Sequence, residues 1–364
     1  MSLVVLVNPV CGNRSSVSFF SDHVFPLLDA HNISVDHTIQ TTSPEHAPSF
    51  IARLQGPITV ILGSGDGTLH EIINAASSTI HFVLVPCGTA NALYSSLFLQ
   101  EQGEDHVAYR LRSLLSFITK KSPSPISIAT TTFSSTPQIT LSAVVVSTSL
   151  HASILHHSES LRDQYPGIER SVLSNSCTYN PPQNNYPRFK IAAQQNSTKW
   201  YNSQINLLPS LSLGIVQIYD FQTNSFVPHP NSTFDSPLVH LQGPFIYFLS
   251  TVNVDRLEPA FRITPLIRSL PPSAPSCDIV ILRPLQSPSI LQDSLEARAS
   301  FVDNLWKVLG AAYQDGSHLK MKYNNDGQVL TEGDGPPVVE YIRCGGWEWI
   351  PVSLQFSYLL IRYI

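Results

Sequence analysis

A chain of 364 residues has room for two domains, each with its own core. Only 13% of the residues are charged, the formal net charge is −5, and the longest basic run is the Lys120-Lys121 pair. That balance excludes a nucleic-acid-binding stripe and a polybasic membrane anchor.

The first apolar run, at residues 3–7, has no basic flank and is too short for a signal peptide, so it reads as a β-strand. Further apolar strands are expected at 33–39, 58–62 and 82–85. Helix-like segments separate them at 17–30, 46–54, 69–77 and 90–97. Near-continuous apolar strands alternating with helices predict a Rossmann-like, doubly wound parallel sheet. An amphipathic stretch at 106–119 predicts a helix covering that sheet.

Beyond Ser122-Pro-Ser-Pro the character changes. Short strand-like runs at 126–132, 139–146, 188–192, 245–251, 277–282 and 338–344 predict an antiparallel β-sandwich. A polar, Pro/Asn/Ser-rich stretch near 174–240 reads as loops or insertions, and one late helix is expected at 301–312. The domain boundaries implied are 1–124 for the α/β part and 125–364 for the β part. Five scattered cysteines with no CxxC pair fit reduced thiols better than a disulfide framework. No apolar run reaches the length of a membrane span. Together these features point to a cytoplasmic protein.

Chemistry is concentrated in three loops, each at the C-terminal end of an apolar strand, where open α/β sheets bind ligands. The most informative is Gly-Ser-Gly-Asp-Gly-Thr at 63–68. Its glycines let the backbone turn sharply and approach a large anion. The helix that follows offers unpaired N–H groups and a dipole that favours phosphate. Asp66 would repel a bare phosphate and becomes useful beside a divalent cation or a substrate hydroxyl. The other loops are Asn-Pro-Val-Cys-Gly-Asn-Arg at 8–14 and Pro-Cys-Gly-Thr-Ala-Asn-Ala-Leu at 86–93. One such loop could be only a tight βα turn, but three on one edge make a polyphosphate site.

The sequences VNPVCGN, GSGDGTLHEIIN and PCGTANAL resemble the catalytic domain shared by diacylglycerol, sphingoid-base and ceramide kinases. GDGT alone also suits NAD kinases and phosphofructokinases; the PxGTxN loop with its NAL continuation favours the lipid branch. The resemblance implies a Rossmann-like ATP domain followed by a β-sandwich lipid-substrate domain, with ATP and Mg²⁺ as cofactors. It implies a lipid substrate collected by transient, peripheral contact with intracellular membranes.

Matched residue by residue, the resemblance makes Asp66 the catalytic acid and the Mg²⁺ contact. It places Asn8, Pro9, Gly12 and Asn13 near the nucleotide phosphates, and Ser64, Gly65, Gly67 and Thr68 in the phosphate turn. Gly88, Thr89 and Asn91 then shape the nucleotide end of the site. A second match, Ser-Glu-Ser-Leu-Arg at 158–162 and Gly-Ile-Glu-Arg at 167–170, nominates Arg162 and Arg170 as a phosphate clamp. Guanidinium groups suit that task.

Two departures stand out. Residues 152–157 carry no carboxylate where sphingosine-type kinases hold an ammonium headgroup; His156 and His157 are there instead. The family's closing Asp-Gly-Glu strand has no counterpart either: Asp326-Gly327-Gln328 and Asp334-Gly335-Pro336 have the Asp-Gly but not the Glu after it. The expectation is a missing closing strand that leaves a neighbour with an unpaired edge. The leading reading is an ATP-dependent lipid kinase acting on a diacylglycerol or sphingoid-base hydroxyl. The alternatives are a silent lipid- or nucleotide-binding protein and a kinase of the NAD kinase type.

Overall fold

The computed structural model describes residues 2–161, 188–331, 335–352 and 359–363. The chain divides into two compact units. One comprises Met1–Ile126 with Leu257–Pro259, and the other Ser127–Arg256 with Ala260–Ile364.

The first unit is built on a four-stranded sheet of β1 (Ser2–Val7), β2 (His37–Gln40), β3 (Ile58–Ser64) and β4 (Ile80–Pro86). The order is β2-β1-β3-β4 and every pairing is parallel. β1 and β3 are central and almost wholly buried, which is why their sequences read as continuous apolar runs. The edge strand β2 is largely exposed and shorter than the predicted 33–39 segment. Its start is set by the Leu3 N–H, which donates to the Asp36 carboxylate at 2.8 Å.

One face of the sheet packs Val5, Val7, Ile61 and Val85 against Phe19, Phe20, Val24 and Leu28 of the first helical stretch. Leu114, from the helix His106–Ile118, closes the same cluster. The Asp105 side chain caps that helix by accepting the Ala108 N–H at 2.9 Å.

The second unit holds β5 (Ala129–Phe133), β6 (Thr136–Ser142), β7 (Val145–Thr148), β8 (Ser203–Leu208), β9 (Gln217–Asp220), β10 (Ser225–Pro228) and β11 (Val239–Gln242). It continues with β12 (Tyr247–Thr251), β13 (Cys277–Leu282), β14 (Lys322–Tyr323), β15 (Val329–Leu330), β16 (Glu340–Cys344), β17 (Gly346–Pro351) and β18 (Leu359–Tyr363). Two six-stranded antiparallel sheets run β10-β9-β16-β13-β12-β7 and β11-β8-β17-β18-β5-β6. Ile205, Leu207 and Trp347 of one sheet share a core with Phe248, Ile279 and Ile342 of the other. The Phe248 and Trp347 rings meet edge-on at 4.5 Å between centroids. The sandwich expected from the sequence is therefore present.

Four local expectations are corrected. Residues 188–192 are helical, within Arg188–Asn196, because Ala192, Ala193, Gln194 and Gln195 favour a helix and the small alanines bury completely. The predicted single strand at 139–146 is two strands in different sheets, and Asn253 grips the crossover by donating to the Ala143 carbonyl at 2.6 Å. The polar 174–240 stretch contributes β8 to β11, so much of it is sheet. Among the described strands near the C-terminal end, the expected unpaired edge is filled: β17 pairs with β8 and β18, and β18 with β17 and β5.

Candidate active site

The ends of β1, β3 and β4 bring the three loops together, and backbone contacts lock them. The Asn8 N–H donates to the Gly63 carbonyl at 3.0 Å, which ties the first loop to the hexad. The Cys87 and Gly88 N–H groups both donate to the Ser64 carbonyl, at 3.0 and 3.2 Å, which ties the third loop to the same strand end.

The approach is close enough to require glycine. A Cβ on Gly88 would lie 2.5 Å from the Gly65 Cα, so hexad and third loop pass backbone against backbone. Gly12 has φ +51°, and a Cβ there would meet the Cys87 carbonyl oxygen at 2.1 Å. Gly67 differs: nothing lies within 4 Å of its Cβ position, and the residue is exposed. An anion has room there.

Side chains extend the lock. Asn8 Nδ2 donates to Thr68 Oγ1 at 3.2 Å, and Ser64 Oγ donates to the same oxygen at 2.8 Å. Ser64 and Thr68 are buried, so this chain of polar groups fixes the geometry of the turn. Asn91 sits in the left-handed region, at φ 52° and ψ 51°. Its amide closes on Gly88 from both ends: Oδ1 accepts the Gly88 N–H at 2.9 Å and Nδ2 donates to the Gly88 carbonyl at 2.8 Å.

Asp66 opens the helix Asp66–Ala75, with Gly65 at the cap position and no side chain capping the first turn. Its carboxylate reaches the third loop. Oδ2 accepts the Ala92 N–H at 2.7 Å and Oδ1 the Leu93 N–H at 3.2 Å. The acid thus holds the positive end of the helix Ala92–Leu97, a favourable setting for an ionised carboxylate. Ser64, Gly65, Asp66 and Asn91 line one small recess, backed by Leu69 and Tyr94.

Not every predicted residue joins this constellation. Pro9 is half-buried, and Asn13 is exposed with its Oδ1 taken by the N–H and hydroxyl of Ser15. Thr89 is half-buried in the third loop. Arg162 and Arg170 lie outside the described residues. His156 and His157 sit on the helix Ser149–Ser160, where His157 Nδ1 hydrogen-bonds the Ser153 carbonyl at 2.8 Å. Among the described residues no group of three or more His, Cys, Asp and Glu assembles a metal cage. No helix of the described residues is long and apolar enough to cross a membrane.

Sequence reasoning missed one cluster here. Cys11 and Cys87 each precede a loop glycine, and Arg110 reaches Cys87 from the covering helix, its Nη2 donating to Cys87 Sγ at 3.0 Å. The available signal was a cysteine at the same place in two of the three loops.

Residues 2–129 match the family model of the diacylglycerol kinase catalytic domain. Sphingosine kinase B of Dictyostelium discoideum is 36% identical over 107 residues, covering 27% of this chain and 14% of that protein. Human sphingosine kinase 2 is 32% identical and sphingoid long chain base kinase 5 of Saccharomyces cerevisiae 33% identical, each over 104 residues. Each of those two alignments covers 25% of this chain and 15% of the relative. The matched stretch is therefore a small part of each relative's length. A putative diacylglycerol kinase from Bacillus anthracis str. Sterne shares the fold, with TM-score 0.52 and 13% identity over 100% of this chain and 92% of that one.

Proposed function

Taking as premise that residues 2–129 carry a diacylglycerol kinase catalytic domain, we propose that the chain is a lipid kinase. It transfers the γ-phosphate of ATP to the hydroxyl of a diacylglycerol or sphingoid-base type lipid. One observation carries the reading: three glycine-bearing loops meet at one sheet edge around a helix N-terminus that no side chain caps.

Phosphoryl transfer asks the protein mainly to position groups and neutralise charge. The N–H groups of the first turn of Asp66–Ala75 would cradle phosphate oxygens, with the open space at Gly67 admitting them. The Asn8–Thr68–Ser64 chain holds that turn in shape. The Ala92 and Leu93 N–H groups orient the Asp66 carboxylate, which would align the acceptor hydroxyl and take its proton.

Mg²⁺ commonly rests on one or two carboxylates plus substrate phosphates rather than on a protein cage. The site fits that pattern, with Asp66 as the carboxylate and no cage of protein ligands among the described residues. When bound, Mg²⁺ would neutralise charge on the phosphate oxygens. The lipid substrate implies transient contact with a membrane surface.

The test is transfer of labelled phosphate from ATP to vesicles containing diacylglycerol, sphingoid base or ceramide, with NAD⁺ as a soluble control. Labelled lipid from one of the three supports the reading. Labelled NAD⁺ alone, or ATP binding without any labelled product, overturns it.

A further inference from the structure

Two cysteines lie within the first and third loops of the candidate site, and neither has a part in the proposed phosphoryl transfer. Cys11 is half-buried and Cys87 retains 6% of its surface. The loops that carry them touch, since the Cβ position of Gly12 falls 2.1 Å from the Cys87 carbonyl oxygen. Both residues are also anchored at the end of β3: Cys11 Sγ lies 4.0 Å from the Gly63 carbonyl, and the Cys87 N–H donates to Ser64.

Arg110 completes the group. Its Nη2 donates to Cys87 Sγ at 3.0 Å and its Nε donates to the Pro86 carbonyl at 3.0 Å. The guanidinium also lies 3.5 Å from the centroid of the Phe19 ring. It is thus pinned on three sides with its charge directed at one sulfur. A buried arginine aimed at a thiol stabilises the thiolate, the reactive form of cysteine.

We propose that Cys87 is a thiol modification site for hydroperoxides, with Cys11 as its resolving partner. The Cys87 thiolate attacks one oxygen of the hydroperoxide and breaks the O–O bond. Sulfur is oxidised to a sulfenic acid, and the other oxygen leaves as alcohol or water after taking a proton. Cys11 sulfur then attacks Cys87 sulfur: the S–S bond forms, the S–O bond breaks, and the Cys11 proton leaves with the hydroxide as water. The product ties loop 8–14 to loop 86–93. An added dithiol reverses it and is itself oxidised to a disulfide.

The thiol energetics run the same way. A side-chain hydrogen bond with Cys11 draws the Cys87 thiol below its ordinary value, and the Arg110 charge adds to this against the effect of burial. The same contact with Cys87, together with burial, pushes the Cys11 thiol up, so Cys87 rather than Cys11 is the thiol that meets the hydroperoxide first. The second unit contains an internal control. Cys277 and Cys344 are also neighbours, at 3.4 Å between sulfurs, yet both are fully buried and burial pushes the Cys344 thiol up.

The test uses the full chain in a Cys177→Ser background, treated with hydrogen peroxide under native conditions, then alkylated and mapped by mass spectrometry. The expected result is a peptide pair joined through Cys11 and Cys87, two hydrogens lighter than the reduced peptides and separated again by dithiothreitol. Iodoacetamide should modify Cys87 on the order of tenfold faster than Cys277 or Cys344. With Cys11→Ser, dimedone should trap a sulfenic acid on Cys87 and no joined pair should form. Cys87 reacting no faster than the buried pair, or both thiols still alkylated after peroxide, overturns the proposal. Neither readout depends on kinase activity, so each stands or falls apart from the proposed function.

Discussion

The Asp66 carboxylate accepts the Ala92 N–H at 2.7 Å, joining the acid of the glycine-rich hexad to the helix that follows the third loop. With Leu93 as second donor, one side chain spans 26 residues of sequence and orders two loops at once. The residue nominated for chemistry is therefore also a structural tie, and substitutions there should change stability as well as turnover.

Asp66→Asn keeps one carbonyl oxygen but turns an NH₂ group towards the second N–H donor. The expected cost is about 1–3 kcal/mol, the usual range for losing a charge-assisted hydrogen bond in a partly buried site. Denaturant unfolding should show a lower midpoint with an unchanged slope.

The loop glycines should divide sharply under alanine substitution. Gly12→Ala places a Cβ against a backbone oxygen at positive φ and should cost roughly 2–5 kcal/mol, adding left-handed strain to overpacking. Gly67→Ala meets nothing and lies within a helix, so it should be neutral or gain up to about 1 kcal/mol. Thermal melts of the two variants separate these outcomes.

His318 should make the second unit sensitive to mild acid. It is fully buried, its Nε2 lies 3.0 Å from the Ile263 carbonyl, and burial lowers its pKa to about 4. Below about pH 6.5 the unfolded chain takes up a proton that the folded chain refuses. This contribution is fully present above that pH and falls as the pH drops towards 4. Between pH 7 and 5 the loss should be about 2 kcal/mol, and His318→Gln should flatten the slope of stability against pH.

Asp278 and Arg343 form a buried pair with two contacts, at 2.7 and 2.8 Å, and the Tyr341 hydroxyl donates to the same carboxylate at 2.7 Å. Arg343→Met should cost about 3–5 kcal/mol by stranding a buried charge. The double change Asp278→Leu with Arg343→Met should recover much of that, as a double-mutant cycle in denaturant would show.

How far the sequence revealed this arrangement depends on where the information lies. β1 and β3 were legible because central parallel strands leave few polar positions, β4 because its run Phe82–Val85 is apolar even at the sheet edge, and the hexad because glycine recurs at every second position at the end of such a strand. β8 was hidden: in Ser203–Leu208 only Ile205 and Leu207 are large, buried apolar residues, and a Pro/Asn/Ser-rich neighbourhood masks that alternation. The crossover at Ala143 rests on Asn253, 110 residues away, and no local pattern reports it. The same limit applies in the site, where the sequence singled out Asp66 but not its grip on Ala92 and Leu93.

The most direct measurement is turnover by Asp66→Asn, with folding verified, on whichever lipid wild-type chain phosphorylates from ATP. The account predicts a fall in kcat of roughly 100-fold or more, since general acid–base assistance is commonly worth that much, with ATP affinity changed little. Wild-type turnover in the folded variant would contradict it.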